Sequence, residues 1–350
     1  MMWVLRTYFS ENMVKKISKR KLQEAEFFKA LDKYSKAKEC ILCGKRMSSP
    51  CNSHVVPQFI LKEIAENGLV SYGYALHTFD MNGLDKTTGV KNAHTFRLIC
   101  NECDREAFKD YENPNNLEHF DELDNNTKKK VLCEMSLKTH VSHFGMKYRR
   151  LVAMDLPTGG KLGTMEKEGR IIFAERIDME EHEEYIKMLK KSIKTNKNPF
   201  TILYNKVLDY KTKIATQTII NYNYDLNGNQ VFNPCLAVPD NECRYFYLMI
   251  LPYKNKTRVL FYIEKKYLTN VQNIVQQFEM LTEEEKLHFL FISLIIHDQQ
   301  IYMSPSYVTD IFKNDKKIAK LYVKTEKDLR YQSKIKDFRR YTNYLLSKYN

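Results

Sequence analysis

The sequence predicts an α+β protein. Three observations carry that class: apolar residues at helical spacing near both ends of the chain and in its middle, a stretch rich in Thr, Ile, Val, Tyr and Phe after residue 210, and two Cys-x-x-Cys pairs flanking a segment of mixed texture. At the start, Ile17, Leu22, Phe27, Leu31 and Tyr34 recur among many charges, so 1–38 reads as an N-terminal amphipathic helix. The next segment, 39–125, holds five of the eight cysteines, with a short helix expected over 58–67, a strand over 70–76, a loop over 81–90, an extended run over 95–99 and a helix over 104–112. An α+β domain follows over 126–312. Its elements are a helix over 126–150, a turn over 157–163, a helix over 179–193, strands over 214–224, 245–251 and 258–263 with a hairpin loop at 252–257, and an apolar helix over 267–297 that packs on the sheet. The last part, 313–350, is a basic helical tail.

Composition narrows the function classes. At 43% hydrophobic and 28% charged residues, a 350-residue chain has enough apolar surface for a sizeable core. No apolar run approaches the roughly 20 residues that span a bilayer, and the first residues lack a small-residue cleavage site, so a cytoplasmic protein with no membrane partner is expected. Lys and Arg number 56 against 43 Asp and Glu, a formal +13 that favours an anionic partner. Residues 313–350 alone carry twelve Lys or Arg against four Asp or Glu. Lys316, Lys317, Arg339 and Arg340 are therefore candidate nucleic-acid contacts, while Tyr322, Tyr331, Phe338, Tyr341 and Tyr344 fit core packing better than base stacking.

Cys40-Ile-Leu-Cys43 and Cys100-Asn-Glu-Cys103 can each present two thiolates, and together they complete one tetrahedral four-cysteine zinc site. In a reducing compartment such pairs bind metal more often than they form disulfides. The 56 residues between the pairs exceed the spacing of a simple ribbon, so a folded insertion is expected there. Cys51, Cys133, Cys235 and Cys243 have no partner at ligand spacing and read as buried thiols. His140 and His143 share a helical face without a third ligand nearby in sequence, and packing is the expectation for them.

Ten residues after the first knuckle the chain reads Ser53-His54-Val55-Val56-Pro57, and the second knuckle runs into Asp104-Arg-Glu-Ala-Phe-Lys-Asp-Tyr-Glu112. This order resembles the HNH, or His-Me finger, endonuclease superfamily in its four-cysteine zinc form, over about residues 39–113. The resemblance implies a ββα-metal finger that hydrolyses DNA phosphodiesters, with His54 as general base and Asp104 as a ligand to a catalytic Mg²⁺ or Mn²⁺. A neutral imidazole suits the first role and a hard carboxylate oxygen the second. Ser53 stands where the family more often has Asp or His, so His94 or Glu112 is open as a substitute ligand. The middle Asn of the motif has three candidates, Asn92, His94 and Asn101. Arg97, on the second expected finger strand, faces either phosphate or solvent.

The function expected is a metal-dependent DNA endonuclease, of the kind joined to unrelated C-terminal regions in bacterial or phage defence and DNA mobility. Its control would come from a regulatory partner protein or from homo-oligomer assembly. The alternative is a zinc-stabilised nucleic-acid-binding module without catalysis.

Overall fold

A computed structural model describes residues 24–72, 87–93, 95–158, 166–232, 244–297, 301–327 and 329–349. The chain divides into two units, one formed by Met1–Val55 and Thr95–Lys197, the other by Val56–His94 and Asn198–Asn350. This differs from the boundaries expected at 38, 125 and 312. Hydrogen bonding explains the difference: strands of the segment between the knuckles belong to the sheet of the second unit, and the basic tail packs there too.

In the first unit, α1 (Glu24–Tyr34) covers part of the helix expected over 1–38, of which 1–23 lie outside the described residues; Leu31 is buried and Asp32 Oδ1 is 2.6 Å from Arg149. Strands β1 (Ser53–His54) and β4 (Thr95–Phe96) pair antiparallel, Ser53 opposite Phe96 and His54 opposite Thr95. The helix α3 (Asn101–Ala107) follows, then α4 (Pro114–Glu118). The long helices α5 (Asn125–Thr158) and α6 (Glu166–Thr195) pack together. Both exceed the expected spans, and α5 takes in Pro157 and Thr158, where a turn was expected; 159–163 lie outside the described residues. From Val131 to Ser142 every residue of α5 is buried, polar ones included, so this helix is the spine of the unit. Its far end is tied to α6 by Lys147 to Asp178 (2.5 Å) and Arg150 to Glu175 (3.2 Å). Gly145 lets α5 approach β4 closely: a Cβ there would stand 3.0 Å from Leu98 Cδ1 and 3.4 Å from Phe96 Cβ.

The second unit is built on a seven-stranded antiparallel sheet. Its strands are β2 (Leu69–Tyr72), β3 (Thr87–Gly89), β5 (Phe200–Leu208), β6 (Ile214–Ile220), β7 (Phe246–Tyr253), β8 (Lys256–Glu264) and β9 (Ile301–Met303), in the order β3-β2-β9-β6-β7-β8-β5. The three expected strands are present as β6, β7 and β8, and the hairpin closes tightly at Lys254 and Asn255, with Tyr253 paired to Lys256 and Lys254 at a positive φ of 54°. β5 and β9 were not expected. Every residue of β6 is buried, so the middle of the sheet is covered on both faces. The apolar stretch 267–297 is two helices, α7 (Gln272–Glu279) and α8 (Glu283–His297). A capping box separates them: Thr282 Oγ1 accepts from Glu285 N–H, and Glu285 Oε2 accepts from Thr282 N–H. Phe278 packs on Phe261 and Phe289 on Tyr222, which seats both helices on the sheet. Helix α2 (Gln58–Ile64) puts Phe59 edge-on to Tyr253.

The basic tail folds as part of this unit. Preceded by α9 (Pro305–Val308) and a π-helical turn over Thr309–Asn314, it comprises α10 (Lys316–Lys327) and a 3₁₀ stretch over Leu329–Arg340. Tyr322, Phe338 and Tyr344 are buried, with Phe338 against Phe289 and Tyr344 against Phe291. No helix among the described residues is long and apolar enough to cross a membrane.

Candidate metal centre and finger site

The four knuckle sulfurs all lie within 4.8 Å of one another, and Cys43 Sγ to Cys100 Sγ measures 3.9 Å. Sulfurs about 2.3 Å from a tetrahedral zinc sit roughly 3.8 Å apart, so the cluster has the dimensions of a metal centre. Local sequence sets each knuckle. Gly44 adopts φ 74°, which brings its N–H within 2.7 Å of Cys40 O and turns the chain back after Cys43. Cys100 caps α3, its Sγ accepting from Cys103 N–H, while Cys40 Sγ accepts from Cys100 N–H, both at 3.4 Å. Burial, with the neighbouring sulfurs of Cys100 and Cys43, pushes the Cys103 thiol up. A dication at the centre inverts that balance by favouring thiolates. Main-chain bonds from Ile41 to Leu98 O (3.0 Å) and from Cys51 to Ile99 O (2.7 Å) hold the first knuckle against the second. Among the described residues these four cysteines are the only group of three or more His, Cys, Asp or Glu placed to hold an ion.

Beside the knuckles, β1 and α3 bring Ser53 and Asp104 into contact. Ser53 Oγ donates to Asp104 Oδ1 at 2.6 Å, and Cys51 Sγ donates to Asp104 Oδ2 at 3.2 Å. His54, next along β1, is half-buried. Lys138 of α5 completes the cluster. Its side chain is 1% exposed, and its ammonium lies 3.4 Å from Asp104 Oδ1, hydrogen-bonded to Glu112 Oε1 and 4.6 Å from the centre of the Phe108 ring. Burial works against ionisation of Asp104, but the charge of Lys138 and the Ser53 hydroxyl outweigh it and hold the carboxyl below its ordinary range. Cys51 is pushed up to about 12 by burial and by Asp104, so it is a thiol at neutral pH.

The same geometry tests the expected Mg²⁺ or Mn²⁺. Both oxygens of Asp104 already accept hydrogen bonds, and a buried ammonium sits between Asp104 and Glu112. A hard dication shared by these two carboxylates would have to sit against that ammonium, so the pair does not fit one.

The other expected site residues are dispersed. Arg97 is half-buried and its Nε donates to Asn52 Oδ1 at 3.3 Å. Lys316 and Lys317 are exposed on the first turn of α10, Arg339 pairs with Glu285 at 2.6 Å, and Arg340 is exposed beside Asp337. His94, Cys235 and Cys243 lie outside the described residues. Asn101 opens α3, exposed, and Asn92 is exposed in the second unit. His140 packs against His182 of α6, ring nitrogens 3.0 Å apart, and burial drives both below the ordinary histidine range, His182 to about 3. Two neutral rings can share one N–H···N bond, one nitrogen donating and the other accepting.

Sequence reasoning passed over Lys138. The signal was available: Lys138 stands three residues after Met135 and three before Val141, so a charge interrupts the apolar stripe. Comparison of the chain with protein-family models, with curated proteins and with solved structures gave no significant match.

Proposed function

We propose that the first unit carries a zinc-stapled His-Me finger acting on nucleic-acid phosphodiesters. The observation that carries the reading is the antiparallel pair β1/β4 followed by α3, with His54 on the first strand and Asp104 on the helix, joined through the 2.6 Å bond from Ser53. Zinc at Cys40, Cys43, Cys100 and Cys103 would fix the loops that set β1 against α3. His54, as a neutral imidazole, would take the proton of the attacking water, and Arg97 would pair with a phosphate oxygen. No step is assigned to a divalent ion, because the residues around Asp104 do not fit one.

A second reading, a zinc-stabilised nucleic-acid-binding module without catalysis, is favoured by one observation: Asp104 and Glu112 are both engaged by Lys138. Either way the +13 chain, with Lys316, Lys317 and Arg340 exposed, supports salt-sensitive binding of DNA or RNA.

The test is plasmid DNA incubated with zinc-loaded protein, with Mg²⁺ or Mn²⁺ and with EDTA, for the wild type, His54→Ala and Lys138→Gln. The last variant removes the ammonium from both carboxylates. Cleavage by either His54 protein that disappears when His54→Ala is introduced, zinc content unchanged, supports the nuclease. Cleavage indifferent to His54 refutes its role as base. If neither wild type nor Lys138→Gln cuts, yet DNA binding falls steeply with salt, the binding module is the function.

A further inference from the structure

We infer that Lys138 is a built-in cation: it occupies the place between Asp104 and Glu112 that a divalent ion would take, and so the folded finger excludes Mg²⁺ and Mn²⁺. The inference rests on the finger reading only for the expectation that a dication belongs there; the exclusion itself rests on geometry. The ammonium is nearly fully buried, touches a carboxylate oxygen on each side and is backed by the Phe108 ring. A buried cation with two carboxylate partners is a satisfied arrangement, and removing one member is costly. Asp104 Oδ1, the oxygen nearer the ammonium, accepts from Ser53 as well, while Oδ2 accepts from Cys51.

The lysine is also held in place along its helix. One turn before it, Glu134 accepts from Asp110 N–H (3.0 Å) and Tyr111 N–H (2.8 Å), and two turns after it Gly145 lies against Phe96 and Leu98. The stretch of α5 that carries Lys138 is therefore held on both sides, and the side chain itself is 1% exposed. A dication approaching Asp104 meets a fixed positive charge within hydrogen-bond range, which in a partly buried setting is poorly screened.

The experiment titrates Mn²⁺ into full-length, zinc-loaded protein and follows free Mn²⁺ by its electron paramagnetic resonance signal. Binding at the finger is defined as the part abolished by Asp104→Asn. The wild type is expected to show none into the millimolar range, and Lys138→Gln to gain one such site, at least tenfold tighter, which Lys138→Gln/Asp104→Asn loses. Asp104-dependent binding in the wild type as tight as in Lys138→Gln would overturn the inference. So would a Lys138→Gln protein that keeps its zinc and far-UV circular dichroism yet gains no site. Should that variant misfold, Lys138→Met/Glu112→Gln keeps the net charge of the cluster and is judged by the same two outcomes. The readout is binding, so a wild type and a Lys138→Gln protein both inert toward plasmid DNA would sink the nuclease reading and leave this one standing.

Discussion

Replacing Glu134 by Gln should stabilise the protein, and by an amount that grows with pH. Glu134 sits on α5 with its side chain 1% exposed, and its Oε2 accepts two main-chain N–H groups just beyond α3. Its Oε1 has no hydrogen-bond partner among the described residues, and the nearest cation, Lys130, is 4.0 Å away. Burial, partly offset by the Tyr111 N–H, pushes this carboxyl up to about 8. The folded state therefore holds the proton more tightly than the unfolded chain, and stability falls as pH rises from near 4.5 through 8, then levels off. At about 1.4 kcal/mol per pH unit, the loss between about pH 5.5 and about pH 8.5 is roughly 3 kcal/mol. Glutamine keeps the acceptor for both N–H groups and removes the titration. Urea unfolding of zinc-loaded protein, followed by far-UV circular dichroism at those two pH values, should show the variant gaining roughly 3 kcal/mol on the wild type across the interval. A difference that stays within about 0.5 kcal/mol from one pH to the other would refute the assignment of Glu134 as a neutral buried acid.

Three further outcomes are expected. Metal analysis should find one zinc per chain in the wild type and none in Cys100→Ser, and chelation near pH 7 should melt the first unit, because the free energy of metal binding is folding free energy there. Gly145→Val should cost about 1 to 3 kcal/mol in urea unfolding, since its side chain would be driven into Leu98 and Phe96. Phe338→Ala should cost about 3 to 5 kcal/mol, whereas Arg340→Ala should stay within about 0.5 kcal/mol of wild type and show its effect in the salt dependence of DNA binding.

The parts of this structure that sequence makes legible are those whose chemistry is local. A Cys-x-x-Cys knuckle carries its geometry within four residues, and so the four-cysteine cluster is readable even with a folded insertion between its halves. β6, β7 and β8 are readable because the residues suited to a buried pleated surface are concentrated in them. The division into α7 and α8 was readable in principle from Thr282 and Glu285, but the apolar residues on both sides mask the break. What escapes is non-local. β9 is three residues long and exists as a strand through its partners, and nothing in Leu69–Tyr72 announces that Tyr72 will stand opposite Tyr302. The engagement of Asp104 by Lys138 is of the same kind: a carboxylate after a knuckle looks like a ligand until a helix 34 residues later supplies its counter-ion.

The ladder between β1 and β4 has a consequence for how the chain can be taken apart. Ser53 faces Phe96 and His54 faces Thr95, so the two ends of the segment Val56–His94 are pinned side by side, as at the base of a hairpin whose turn has become a limb of another fold. A single cut anywhere in the sequence cannot yield both units whole: a fragment ending near residue 125 keeps β2 and β3 but lacks β9, the neighbour of β2, and a fragment starting there lacks them. A short turn joining Val55 to Thr95 would respect the ladder instead. It would leave the four knuckle cysteines, Asp104 and Lys138 on one continuous chain, which makes the first unit available for study as a miniature.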